Sequence, residues 1–188
     1  NNTENVKTKI QNIELSSNWI DIELAKAGTL GVEVLYKVDV LNDVELLKVT
    51  GNLNSDDWTA IKNMKNLIGL DLSEAKFNSV PDYAFDGLSK LSYTVLPEGL
   101  TSIGSSAFER CSALTSINLS NSVTSIGRAA FYGCSSLTSI ILPNSVTSIG
   151  EYMFYGCSSL TSVTIPNSVT SIGEYAFADC NFLTSIIL

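Results

Sequence analysis

The sequence contains no histidine, and only 16% of its residues are charged. Without histidine there is no Ser-His or Cys-His nucleophile, no histidine-ligated zinc and no ordinary side chain that titrates near neutral pH. Soluble domains usually carry roughly 25% charge. The few charges are also one-sided: 11 Lys and Arg stand against 19 Asp and Glu, a net charge of −8. That balance excludes a phosphate-binding surface for nucleic acid and electrostatic docking on an anionic membrane. No apolar run is long enough to span a bilayer as a helix. The start, Asn1-Asn2-Thr3-Glu4, is polar, without an initiator Met or the apolar segment of a secretory signal, and reads as a mature or trimmed product. What is plentiful is apolar material, 45% of 188 residues. This is enough for the core of one domain, alone or with a small appendage.

A 23-residue period governs the second half. Ile103, Ile126, Ile149 and Ile172 keep that step, as do Phe108, Phe131, Phe154 and Phe177. Gly104, Gly127, Gly150 and Gly173 follow it, with Cys111, Cys134, Cys157 and Cys180 and with Leu114, Leu137, Leu160 and Leu183. A weaker copy precedes them in Val80, Tyr83, Phe85, Leu88 and Leu91. Leu67, Leu70 and Leu72 read as one strand more, and Leu46, Leu47 and Val49 before Gly51 as the earliest candidate. A unit this short cannot bury its own apolar face, so neighbouring units must stack and share a continuous core. Ile117 and Leu119 alternate with polar residues as in a half-buried strand. Gly127 is expected to supply a turn with positive φ. Ala130 and Phe131 are expected to close the coil with a short helical or 3₁₀ turn.

The unit L-T-S-I-x-L-P-N-S-V-T-S-I-G-x-x-A-F-x-x-C-S-S resembles the BspA-type leucine-rich repeat over residues 67–188. The stretch from Leu47 to Trp58 is also similar to the segment that precedes such repeats in gut Bacteroidetes proteins. The resemblance implies an α/β fold: a leucine-rich-repeat solenoid of about 23-residue coils with parallel strands. Residues 1–66 are expected to form a helical N-terminal cap, because a solenoid end must be shielded from water. One helix is expected from about Leu30 to Leu41. A second starts at Ser55 as N-cap, with Asp56 and Asp57 in its first turn and Trp58, Ile61 and Met64 on one face.

The cysteines admit three readings: core thiols, disulfides between coils about 5 Å apart, or a metal site. Leu88 occupies the same column, which favours packing. Asp56 with Asp57, and Asp82 with Asp86, lack any base or motif and read as capping or solvated carboxylates. Asp39, Asn42, Asp43 and Glu45 lack the spacing of a calcium loop. No cofactor, metal or catalytic residue is expected. The expected binding face is the outward column set of the strands: Tyr93, Val95, Ser116, Asn118, Ser139, Ile141, Ser162, Thr164, Ser185 and Ile187, with Pro97, Pro143 and Pro166 at the strand exits.

The resemblance further implies a non-enzymatic interaction module of a bacterial cell-surface or secreted protein of Bacteroides-like bacteria, any signal peptide already removed. Its expected partner is a host or matrix protein; the alternative is a structural spacer or a carbohydrate-binding segment of a larger surface protein. The sequence stops at Ile186-Ile187-Leu188, inside a strand, where family members continue or end in a cap. This predicts either a piece of a longer protein or a C-terminal coil that self-associates.

Overall fold

A computed structural model describes residues 19–187. The start of the sequence, the first part of the expected cap and Leu188 lie outside the described residues. Each coil of the chain visits three sides of a stack. On the first side, β1 (Ile20–Leu24), β2 (Leu46–Asn52), β3 (Gly69–Asp71) and β6 (Tyr93–Val95) pair in that order, all parallel, and the short β4 (Ala75–Lys76) pairs with the end of β2. The same side resumes with β9 (Ser139–Ile141), β11 (Ser162–Thr164) and β13 (Ser185–Ile187), again parallel. Residues 116–118, between these ladders, form no strand, but the Thr115 amide donates to Ser92 O at 3.2 Å and keeps the coil in step.

The second side carries two-residue strands. β5 (Ser79–Val80) pairs with β7 (Ser102–Ile103) and that with β8 (Ser125–Ile126); β10 (Ser148–Ile149) pairs with β12 (Ser171–Ile172). Equivalent residues face each other: Ile103 opposite Ile126, Ile149 opposite Ile172, Ser139 opposite Ser162. The sequence period is thus the register of the stack.

The third side is a run of turns rather than the expected helical or 3₁₀ closure. The amides of Phe85, Phe108, Phe131 and Phe154 each donate forward to the next coil, to Ala107, Ala130, Met153 and Ala176 O at 2.8–3.0 Å. Two residues earlier, Ser106 donates to Arg128 O, and two later, Arg110 donates to Tyr132 O. The first and last of the three donors in each coil lie in left-handed backbone. Tyr83, Ser106, Ala129, Tyr152 and Tyr175 form one such column, with φ between 53° and 58°. Gly87, Arg110, Gly133, Gly156 and Asp179 form the other. Left-handed backbone costs roughly 1–2 kcal/mol at a non-glycine residue, which the forward hydrogen bonds offset.

This corrects the expectation for Gly127. Its φ is not positive; the column is glycine because the backbones of successive coils nearly touch there. A Cβ on Gly127 would stand 2.4 Å from Ser105 N, and one on Gly173 2.5 Å from Glu151 N, whereas at Gly150 the nearest atom is Arg128 Cα at 3.5 Å.

Residues before 67 supply helices and two strands of the first-side ladder, β1 and β2. The helices are α1 (Leu30–Leu35) and α2 (Ser55–Lys62). α1 stops at Leu35 rather than Leu41, because the segment that follows holds β-branched Val38 and Val40 with Asp39, poor helix formers, and must enter β2. The N-cap of α2 is Asn54, not Ser55: its side chain accepts from Asp56 N while Asp57 accepts from Asn54 N, a capping box. Asp57 is fully buried and also accepts from Gly28 N and Leu30 N, tying α1 to α2. On α2, Trp58 and Ile61 face the core, as does Met64 just beyond it.

A column of phenylalanines runs through the stack. Ring centroids of Phe85, Phe108, Phe131, Phe154 and Phe177 follow one another at 4.8, 5.5, 5.6 and 5.4 Å. The first four rings are fully buried. Beneath them the Cys column closes each coil: every thiol donates to a phenylalanine carbonyl of the coil before, from Cys111 to Phe85 O at 3.2 Å through Cys180 to Phe154 O at 3.1 Å.

Phe154→Ala is expected to destabilise the chain by about 3–5 kcal/mol in chemical denaturation; a loss under about 1 kcal/mol would contradict the buried ladder. Among the glycines, Gly127→Ala and Gly173→Ala should cost about 1–3 kcal/mol through backbone displacement. Gly150→Ala should be tolerated with little change, and equal effects at all three positions would overturn the close-approach account.

Candidate binding surfaces

The strand face is built by alternation along three-residue strands. In β9, Ile140 points inward and is 1% exposed, while Ile141 points outward and is 57% exposed. The outward column through Ile141 runs Val95, Asn118, Ile141, Thr164 and Ile187. Asn118, Ile141 and Ile187 are exposed; Val95 and Thr164 are partly buried. Beside it Ser116, Ser139 and Ser162 are partly buried and Ser185 is exposed. The structure therefore brings nine of the ten expected residues onto one face.

Tyr93 is the exception. It is 2% exposed, because the facing residue in β3 is Gly69, whose missing side chain leaves room for the ring. A Cβ on Gly69 would sit 2.0 Å from the Tyr93 hydroxyl, and Trp19 packs edge-on against the ring at 6.1 Å. Pro97, Pro143 and Pro166 are likewise buried rather than outward. In the last described coil, Ile172, Ile186, Ile187 and Phe182 are exposed, the last by 66%.

The turn side holds a feature that the outward-strand reading missed. Tyr132 stacks on Tyr155 at 4.9 Å with 5° between ring planes, and Tyr152 stacks on Tyr175 at 5.2 Å with 16°. Tyr152 and Tyr155 lie 5.9 Å apart, joining the two stacks into one aromatic surface. The Arg128 guanidinium lies 4.9 Å over the Tyr152 ring and pairs with Glu151 at 3.1 Å. The Tyr155 hydroxyl is hydrogen-bonded to Asp179, which pushes its pKa up. Sequence holds the signal: from residue 99 onward, all four tyrosines and all six charged residues fall between the Gly and Cys columns.

Toward the other end of the same side, Tyr83 and α2 border a cleft of about 360 Å³ lined by Asn54, Trp58, Lys62 and Asp82 among others. Lys62 lies 5.6 Å over the Tyr83 ring and 3.6 Å from Asp86. The carboxylates weighed as chemical groups have structural partners: Asp82 accepts from Ser105 N at 2.7 Å, and Asp86 pairs with Arg110 at 2.9 Å. Asn42, within the acidic stretch of Asp39, Asp43 and Glu45, accepts from Lys65 N and from Asn66. Among the described residues no group of three His, Cys, Asp or Glu converges as a metal site.

All four cysteines are free thiols; Cys111, Cys134 and Cys157 are buried, and Cys180 is only partly buried. Burial raises the pKa of Cys111 to about 12 and pushes Cys134 and Cys157 up as well.

Parallel strands stacked in 23-residue coils around leucine, phenylalanine and cysteine columns define a leucine-rich-repeat solenoid. The sequence matches the BspA type leucine-rich repeat region in six copies, over residues 5–135 and 78–188, and the chain belongs to that family. Among solved structures, a leucine-rich repeat protein from Bacteroides ovatus is 28% identical with a TM-score of 0.69. The match covers 78% of this chain and 38% of that one, so the chain spans under half the length of this relative. The Treponema pallidum leucine-rich repeat protein is 25% identical with a TM-score of 0.59, over 88% of this chain and 78% of that one. A Eubacterium ventriosum leucine-rich repeat protein, 19% identical at a TM-score of 0.54, shares the fold; the match covers 76% of this chain and 49% of that one. No protein of curated function matches the chain.

The thiols give the stack an alkaline weakness. Above the ordinary cysteine value of 9.0 the unfolded chain releases thiol protons that the folded chain retains. Stability is thus full below that pH and falls as pH rises, by about 1.4 kcal/mol per unit for each buried thiol. Denaturation midpoints measured from pH 8 to 11 should fall, and a variant with Cys111, Cys134 and Cys157 replaced by Val should show a shallower slope. Identical slopes would refute the assignment.

Proposed function

We propose that the chain is a non-enzymatic interaction module of a bacterial surface or secreted protein and that it binds a protein of the host or its matrix through the strand face. The observation that carries this reading is Ile141. Its column accepts Asn118 and Thr164, so the fold does not require an apolar residue there, yet an isoleucine stands 57% exposed on a flat, rigid sheet. Ile187 repeats it two coils on, at 53%. Isolated apolar anchors within a polar, low-charge field are what a docking face offers a protein partner. An extracellular or cell-surface location accords with the family. Among the described residues no helix is long and apolar enough to cross a membrane.

The alternative, a structural spacer or a carbohydrate-binding segment, is favoured only by the tyrosine surface. There the rings spend their faces largely on one another, which leaves edges and hydroxyls where a sugar ring would need an open face. The protein-binding reading is therefore preferred.

Purified chain flowed over a panel of immobilised extracellular-matrix proteins tests it. Ile141→Lys, at an exposed position, should leave the circular dichroism spectrum and thermal midpoint unchanged and weaken binding by about tenfold or more. Absence of binding to every matrix protein would discard the reading; binding indifferent to Ile141→Lys would discard the strand face.

A further inference from the structure

The two strand sides of the last four coils bear serine, threonine, asparagine and aliphatic residues and no charge at all. From residue 99 onward, Glu109, Arg110, Arg128, Glu151, Glu174 and Asp179 all lie on the turn side, together with every tyrosine. This segregation is not a demand of the fold. The column of Tyr152 and Tyr175 is filled by Ser106 and Ala129 in other coils, and the column of Tyr132 and Tyr155 by Glu109 and Ala178. Small or polar residues satisfy the same backbone. Tyr152 and Tyr175 moreover hold left-handed backbone, φ 56°, where a bulky side chain is least expected. Large rings have been placed where the coil needs none.

Arg110 is engaged by Asp86 at 2.9 Å and Glu109 at 3.3 Å, and Arg128 by Glu151 at 3.1 Å. Among the described residues, Glu174 and Asp179 have no cationic partner, and both are exposed beside Tyr175 and Tyr155. Tyr175 itself is 58% exposed. The surface thus combines rigid aromatic area, which binds at low entropic cost, with uncompensated negative charge. The chain already displays the contact such a surface favours: the Arg128 guanidinium over Tyr152, held by Glu151.

We propose that the turn side of the last three coils, centred on Tyr132, Tyr152, Tyr155 and Tyr175, is a docking site for a partner protein segment that presents arginine or lysine side chains. The inference rests on the interaction-module reading but places a contact on a different side of the stack. Guanidinium or ammonium groups of the partner donate to the tyrosine hydroxyls and pair with Glu174 and Asp179. Its apolar stems cover the rings.

The test is calorimetric titration of the full chain with two capped peptides, acetyl-(Gly-Arg)4-amide and acetyl-(Gly-Glu)4-amide, and with the neutral glycan chitohexaose. The arginine peptide should bind at least about tenfold more tightly than the glutamate peptide, and less tightly as salt is raised. The double variant Tyr152→Ala, Tyr155→Ala uses side chains that other coils already carry in those columns, so it should keep the fold; it should weaken arginine-peptide binding about tenfold or more. Ile141→Lys should not. Equal binding of the two peptides, indifference to the double variant, or a tyrosine-dependent response to chitohexaose alone would overturn the proposal, the last in favour of a carbohydrate site. Matrix-protein binding lost in Ile141→Lys, with no preference for the arginine peptide over the glutamate peptide, would retain the proposed function and discard this site. Failure of every matrix protein, with arginine-peptide binding intact, would do the reverse.

Discussion

No coil of this chain can satisfy itself. A 23-residue loop of backbone has too little interior to bury its own leucines and phenylalanines, and its amides on all three sides point along the stack. The hydrogen bonds from one coil to the next are the constraint on which everything else depends. They set strand length, because only two or three residues per side run parallel to a neighbour before the chain must turn. On the turn side they coincide with the left-handed columns, since the first and last of the three amides that reach the next coil belong to left-handed residues. The cysteine column belongs to the same logic: each thiol fills a small apolar space and offers its weak donor to a carbonyl of the coil before.

Much of this is legible in the sequence, because identity at a fixed step is a direct statement of stacking. The inward columns of Ile, Leu, Val and Phe could be read from the period and are buried through most of the stack. Two kinds of feature were not legible. The reason for the glycine column lies in the distance between neighbouring backbones, about which a single coil's sequence is silent. A flexible turn and a tight approach leave the same letter. The burial of Tyr93 is equally non-local, since it depends on a glycine in the facing strand, 24 residues earlier. One strand was readable but missed: Ile20-Asp21-Ile22-Glu23-Leu24 alternates as β1 requires, yet stands 27 residues before its partner in β2 rather than 23, outside the period that guided the reading.

The candidate surfaces divide along the same line. The strand face follows from alternation and emerged from sequence except at Tyr93 and the three prolines. The tyrosine surface did not, because its columns also hold Ser106, Ala129, Glu109 and Ala178, and the period alone does not show that both columns fold onto one exposed side. In a repeat protein the constant positions describe the scaffold. The variable ones, once folded onto a common side, are where coils come to differ, and here that difference is chemically coherent: rings and carboxylates on one side, hydroxyls on the other two.

The near-identity of the columns also has a consequence for how the chain finds its order. Shifted by one whole coil, Ile126 would meet Ile172 and Phe131 would meet Phe177, with little change in core volume or hydrogen bonding. Such a displaced pairing, within one molecule or between two by exchange of coils, competes closely with the native one. What separates them is the set of contacts that do not repeat: the Arg128–Glu151 pair and the offset tyrosine stacks. The irregular side of the solenoid is therefore also its address label, telling each coil which neighbour is its own.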